Sequence, residues 1–405
     1  VDLKAGKALS VATGDGNQTV TLDFDSARGT QVKASAAFIL NIADFVTASG
    51  TLGFERSLRD VVLADGTKAK TEMLTFGGEN LHAFVGLNGP ADGIYNASSH
   101  PDAMGLALTD VDFALALFSA RAGETASKGL KWAAVKATAG SVEVVGMPEL
   151  TLAARNLSLD LNLVDTTGYG RPVNGDNKVI DFAGGGGTRK LDVVTGTGRS
   201  TAITFDGGLG EYIRATGDVE LLVGDFFAVK GSLGFERRVQ DVTLADGSLV
   251  KTQLISIGGS GLDAFVGFGP YEIQQDGQTI VNPDARGVKI SDVEFGLALF
   301  SSKDAGYTDK RWTALTGVVG KIDAPIGLPD NVDLDIHTLG IDLNLVNGFS
   351  DAASPNKVID FASMKDSNSV AGMQIATGTG KALRRHAREL PLLRAYVHKA
   401  NIPLE

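Results

Sequence analysis

The chain contains no cysteine in 405 residues. Disulfide stapling, thiolate catalysis and cysteine-ligated zinc are therefore excluded. That lack suits a cytosolic protein and equally a bacterial surface repeat exported unfolded. No apolar run approaches the ~18 residues of a membrane-spanning helix. No signal peptide is visible, but the first residues, Val1-Asp2-Leu3-Lys4, enter near a repeat boundary without Met. They read as part of something longer, so a missing targeting signal is uninformative. Basic charge is also short: 37 Lys and Arg face 48 Asp and Glu, for a net charge of −11. Phosphate backbones are bound mainly by Lys and Arg, so nucleic acid is not an expected partner. Histidine is scarce: His82, His100, His337, His386 and His398. None recurs between the repeats described next, so a site common to both cannot use histidine. No Gly-x-Ser-x-Gly elbow accompanies them.

What is present is duplication. Thr51–Thr67 reads TLGFERSLRDVVLADGT and Ser232–Ser248 reads SLGFERRVQDVTLADGS, with 11 of 17 positions identical. Asp44-Phe45 matches Asp225-Phe226, and the Ala-Phe-Val-Gly run at 83–86 matches that at 264–267. Turns at Thr13–Gly16, Thr195–Gly198 and Thr377–Gly380 recur every 182 residues. The reading is module 1 over 1–194, module 2 over 195–376, and the start of a cut-off third unit within 377–405. Each module is long enough to hold its own core.

Period-two alternation fills both modules, and helical periodicity is nearly absent. Val111, Phe113, Leu115 and Leu117 alternate with Asp112, Ala114 and Ala116. The large apolar face is expected to pack into a core, and the small residues behind it imply a second layer. Leu157, Leu159, Leu161 and Leu163 form a second clear strand, repeated at Leu339, Ile341, Leu343 and Leu345. Asp65-Gly66 and Asp246-Gly247 predict tight hairpin turns. Trp132 and Trp312 are expected core anchors. Glycine reaches 51 residues, which fits turns and bulges rather than helices. The expected fold is all-β: two tandem, mostly antiparallel modules of about 180 residues, each a β-sandwich or an elongated β-roll. Lys381, Arg384, Arg385, Arg388, Arg394 and Lys399 outweigh Glu389 and Glu405 in a basic tail. Leu383, Ala387 and Leu390 stand there at helical spacing, which predicts a short helical segment.

Chemistry is sparse. Gly378-Thr379-Gly380-Lys381 fails as a phosphate loop, because Ile375 and Ala382 stand where Gly and Ser or Thr belong. Gly258–Asp263 matches one calcium nonapeptide, which needs stacked copies to work. Calcium is the one cofactor left open, with Asp15, Asp25, Asp206 and Asp263 as candidate ligands. Carboxylates retained in both copies (Glu55 and Glu236, Asp60 and Asp241, Asp110 and Asp292, Asp160 and Asp342, Asp181 and Asp360) read as strand-face and turn residues. The Glu-Arg pairs are expected at a sheet edge. An alternative uses such acids as a paired-carboxylate glycosidase. Loops 87–108 and 268–286 differ most between copies and carry Tyr95 and Tyr271, so a glycan- or protein-binding role through them is a further alternative.

The order Gly-[Thr/Ser]-Leu-Gly-Phe-Glu-Arg, Ala-Phe-Val-Gly, Asp-Val-[Asp/Glu]-Phe-x-Leu-Ala-Leu-Phe, Trp-x-Ala and Leu-Asn-Leu-Val resembles long repeats of giant secreted bacterial surface proteins, over about residues 13–380. Those proteins are adhesin-like and often carry hemolysin-type calcium-binding segments. The resemblance implies an extracellular or cell-surface setting reached by type I secretion. It carries no functional residues. The expectation is a non-catalytic stalk or spacer whose partners are neighbouring modules, with surface glycans or proteins as further candidates.

Overall fold

The structure is a computed structural model. It describes residues 3, 8–14, 18–24, 26, 29–124, 127–147, 150–165, 178–186, 189–275, 277–326, 334–347, 357–364 and 372–384. A short hairpin, β1 (Leu9–Ala12) and β2 (Thr19–Leu22), comes first. Six long strands follow: β3 (Val32–Ile42), β4 (Val46–Val62), β5 (Lys68–Leu87), β6 (Met104–Ala120), β7 (Lys131–Val145) and β8 (Leu150–Asp165). A second hairpin, β9 (Leu191–Gly196) and β10 (Arg199–Ile203), leads into β11 (Tyr212–Val223), β12 (Phe227–Thr243) and β13 (Leu249–Phe268). After a small inserted hairpin, β14 (Glu272–Gln275) and β15 (Gln278–Val281), come β16 (Arg286–Ser302), β17 (Arg311–Ile326) and β18 (Leu334–Asn347). The last described pair is β19 (Gln374–Gly378) and β20 (Lys381–Arg384).

The chain is all-β, and its long strands form one antiparallel sheet. Its order is β18-β17-β16-β13-β12-β11-β8-β7-β6-β5-β4-β3. Each repeat supplies six neighbouring strands, but the repeats do not form separate sheets, because β8 pairs with β11. At ~4.8 Å per strand the sheet is roughly 53 Å wide. The division at 194/195 falls inside β9, and that hairpin lies on the strands of the first repeat, not the second.

One face of the sheet is covered. Gly53 and Gly77 lie beneath the hairpin, where a Cβ at either would stand 2.3 Å from the Val194 carbonyl oxygen. In the second repeat Gly234 and Gly258 bear the same relation to Ala376 O, again at 2.3 Å. Only a side-chain-free backbone admits so close a crossing. The buried core therefore lies between sheet and hairpin: Met73, Ala116, Phe118, Trp132, Val193 and Ile203 in the first repeat, Leu254, Ala298, Phe300, Trp312 and Ile375 in the second.

The duplicated landmarks meet in this core. Both Asp-Gly turns form as expected, with Gly66 at φ 82° and Gly247 at φ 84°. The returning segment, Lys178–Phe182 or Lys357–Phe361, docks on the turn through the bridges Leu63↔Ile180 and Leu244↔Ile359. Trp132 Nε1 donates to Lys178 O and Trp312 Nε1 to Lys357 O, each at 2.7 Å. Asn162 and Asn344 donate to the carbonyls of Ile180 and Ile359. Lys178 reaches Asp65 at 2.5 Å, and Lys357 pairs likewise with Asp246. The LADG stretch is the seat on which each repeat closes.

Three expectations are corrected. Ala114 and Ala116 are the fully buried face of β6, while Leu117 is 38% exposed; the small residues face the covering hairpin and the large ones face away. Glu55 and Glu236 are buried on the covered face of interior strands, not at a sheet edge. Consecutive strand residues point to opposite faces, so Arg56 lies on the other face, 3.4 Å from Glu72. The tail expected as helix begins as strand: Lys381–Arg384 pairs with β19, the counterpart of β9–β10. Residues 385–405 lie outside the described residues.

Candidate interaction surfaces

The second face of the sheet carries rows of large apolar side chains, and no described strand lies on it. Two rows show its chemistry. Phe54, Phe76, Leu115, Val135, Leu161 and Ile213 stand side by side across six strands. A neighbouring row runs Leu159, Ala215, Phe235, Ile257, Leu297, Leu315 and Leu343. Phe76, Leu159, Phe235, Leu299 and Ile341 are among the exposed apolar residues. The rows cross the repeat boundary without a break. Small residues there (Ala137, Ala215 and Gly217) leave a trough of about 510 Å³ between Leu159 and Phe235. Contiguous exposed apolar surface of this kind is unusual on a monomer.

The joint between repeats is built from both sides. β8 and β11 pair from Tyr212↔Asn162 to Val223↔Leu150, with a bulge in β8 at Asn156. Asn156, at φ 51°, donates to Asp218 at 2.7 Å, and Ser232 Oγ donates to the same carboxylate at 2.5 Å. These two donors hold Asp218 below the usual carboxylate range. Tyr212 donates to Asp160 across the joint at 3.2 Å. Burial and the Asp160 charge push the phenol well above its ordinary value, so it remains a donor. Arg214 grips Glu236 through two bonds of 2.9 and 2.7 Å. Burial alone would lower Arg214, but the charge and hydrogen bonds of Glu236 raise it above its ordinary value. Finally, the β19–β20 turn spans the joint: Thr379 Oγ1 lies 3.1 Å from Thr216 Oγ1 and donates to Asn156 O at 2.5 Å. Thr197 makes the matching contact with Ser35 at 3.1 Å.

The sequence-derived candidates do not converge. Asp15 and Asp25 lie outside the described residues. Asp206 caps a short turn by accepting from Gly208 N, and Asp263 accepts from Asp292 N. Among the described residues no three His, Asp or Glu side chains gather as a metal site. Asp110 and Asp292 occupy matching positive-φ positions at 49° and 55°, a conformation that Asp tolerates better than most residues. Asp181 accepts from the amides of Ala183, Gly184 and Gly207 and pairs with Arg189. Asp160 and Asp342 both accept from joint or neighbouring hydroxyls.

The two variable loops fold down onto the sheet. Tyr95 stacks on Phe84 at 6.0 Å, and Tyr271 packs on Phe265 at 5.5 Å with Lys289 Nζ 3.9 Å over its ring. The cavity under the second loop is about 130 Å³, below the 300–1,000 Å³ usual for small-molecule pockets. Sequence reasoning missed the open face and the joint. The visible signal was Gly or Ala opposite every large apolar row, at Gly53, Gly77, Ala114, Gly234, Gly258 and Gly296. Comparison with protein-family models, curated proteins and solved structures found no match.

Proposed function

We propose that this chain is a non-catalytic structural repeat segment, a stalk or spacer of a large bacterial surface or secreted protein. The observation that carries this reading is the β8–β11 joint. Repeats held by a ladder of backbone hydrogen bonds add width to one stiff sheet, whereas repeats joined by linkers would act as jointed beads. Each repeat of six strands adds roughly 29 Å at ~4.8 Å per strand. The open apolar face adds an adhesive function, offering a broad non-polar surface to a partner. Secretion and surface location rest on the sequence resemblance.

The test is a chain in which residues 195–376 are duplicated in tandem. Small-angle scattering should show one longer, rigid particle, extended by about 29 Å. A scattering profile of flexibly linked particles, or no gain in length, would refute the spacer reading.

A further inference from the structure

We propose that the outer strands β3 and β18 are the two halves of one joint, and that copies of this chain pair head to tail through them. The proposal rests on the edge-joining reading above and extends it to contacts between separate chains. Its template lies within the molecule. β3 and β11 hold the same place in their repeats, since Val32 pairs with Arg56 as Ile213 pairs with Arg237. β8 and β18 also correspond, since Trp132 pairs with Val164 as Trp312 pairs with Val346.

Carrying the β8–β11 register onto β18 and β3 gives a definite set of cross-strand pairs. Tyr212↔Asn162 becomes Gln31 opposite Asn344, and Ile213↔Leu161 becomes Val32 opposite Leu343. Arg214↔Asp160 becomes Lys33 opposite Asp342, and Ala215↔Leu159 becomes Ala34 opposite Ile341. Polar meets polar, apolar meets apolar, and the one cation meets a carboxylate. A slip of one residue would set Lys33 against the apolar Leu343 or Ile341, so the register is specified. Among the described residues no strand pairs with the outer edge of β3, 11 residues long, or of β18, 14 residues long. Neither contains proline. Long edges of this kind are templates for further pairing.

The contact is heterologous, because two different edges meet. Repeating it yields an open row of chains rather than a closed dimer. The seat that β9–β10 takes on the first repeat is held on the second by β19–β20. An incoming β3 therefore joins by its edge, and the β1–β2 hairpin of that copy stays aside.

Charge reversal tests this directly. Sedimentation velocity over a concentration series should show the native chain growing into rows. Lys33→Asp alone and Asp342→Lys alone should each weaken association on the order of ten-fold, since like charges then face each other. Mixing the two variants should restore it, because every contact in an alternating row is again between opposite charges. The double variant Lys33→Asp/Asp342→Lys should restore it within one chain. Circular dichroism melts establish that each variant is folded. A native chain that stays monomeric at all concentrations would overturn the proposal. So would association indifferent to the reversals, or lost instead with Phe235→Asp, which would place the contact on the open face. The tandem-duplication experiment is independent of concentration, so either reading can fail without the other.

Discussion

Replacing Gly53 or Gly77 with alanine should lift the β9–β10 hairpin off the sheet, and the two substitutions should not add. The new methyl at either position would sit 2.3 Å from Val194 O. That oxygen belongs to backbone and cannot rotate away, so relief requires the hairpin to retreat by roughly 1 Å. A gap of ~0.5–1 Å forfeits a quarter to a half of each dispersion contact beneath it. Overpacking of this kind costs about 1–3 kcal/mol, and each single substitution should fall near 2. Both methyls press on the same oxygen. Once one has raised the hairpin, the other finds room, so the double variant should cost about 2–3 kcal/mol rather than the ~4 of independent sites. Urea unfolding reads the free energies, and hydrogen exchange over 191–203 reads the hairpin. Gly306→Ala serves as the control, since nothing lies within 4 Å of a Cβ there, and it should be neutral. Costs that sum fully, or a loss of stability with exchange over 191–203 unchanged, would refute the reasoning.

Two further outcomes follow from the closing segments. Lys357, with Ser248, holds the Asp246 carboxyl down at about 2, below its ordinary 3.8. A depressed carboxylate stabilises the fold above the unfolded value and loses that contribution as pH falls toward 2; because the pair is solvated, Asp246→Asn should cost only about 0.5–1 kcal/mol at pH 7, and a pH series of urea melts should show the difference vanishing near pH 2. Trp312→Phe removes the donor to the part-buried Lys357 O, at a cost of about 1–2 kcal/mol; Trp132→Phe should match it, and the double variant, at separate sites, should show the sum in equilibrium unfolding.

Much of the fold is legible because it is local. Alternation at Leu157–Leu163 and the Asp65-Gly66 turn depend on neighbours in sequence, and both appear as read. The choice of face did not follow from alternation. At Val111–Leu117 the rule that large apolar residues go inside points the wrong way, because a backbone-to-backbone crossing over Gly53 and Gly77 selects the small side. The Glu-Arg pair was misplaced for a related reason. Glu55 and Arg56 are neighbours in sequence but lie on opposite faces, and Glu55 is buried beside Ser57, whose hydroxyl donates to it at 2.9 Å. Lys381–Arg384 looked helical from Leu383 onward, yet the 182-residue offset places Lys381 on Arg199, the first residue of a strand. The joint was invisible because nothing in β8 alone names β11 as its partner. Asn156 of β8 meets Asp218 of β11 across 62 residues of chain, a contact that only the folded sheet creates.

The covering hairpin explains why the repeats fuse. It precedes the six strands of its own repeat in sequence but covers those of the repeat before. Leu191 of β9 is 2% exposed against the first repeat, while its counterpart Leu9 of β1, with no described sheet beneath it, is 52% exposed. Sequence unit and packing unit are thus out of phase by one hairpin. Because the core of each repeat is completed by residues of the next, neither can close alone as its sequence boundaries would suggest. The turn of the hairpin adds a second tie, since Thr379 bonds to strands on both sides of the joint. Separating two repeats would break the β8–β11 ladder and this clasp together. An interlock of that kind makes the joint as firm as the interior of the sheet, and it predicts that hydrogen exchange along β8 and β11 is as slow as along β5 and β6. Faster exchange at β8 and β11 would mean that the repeats part there first.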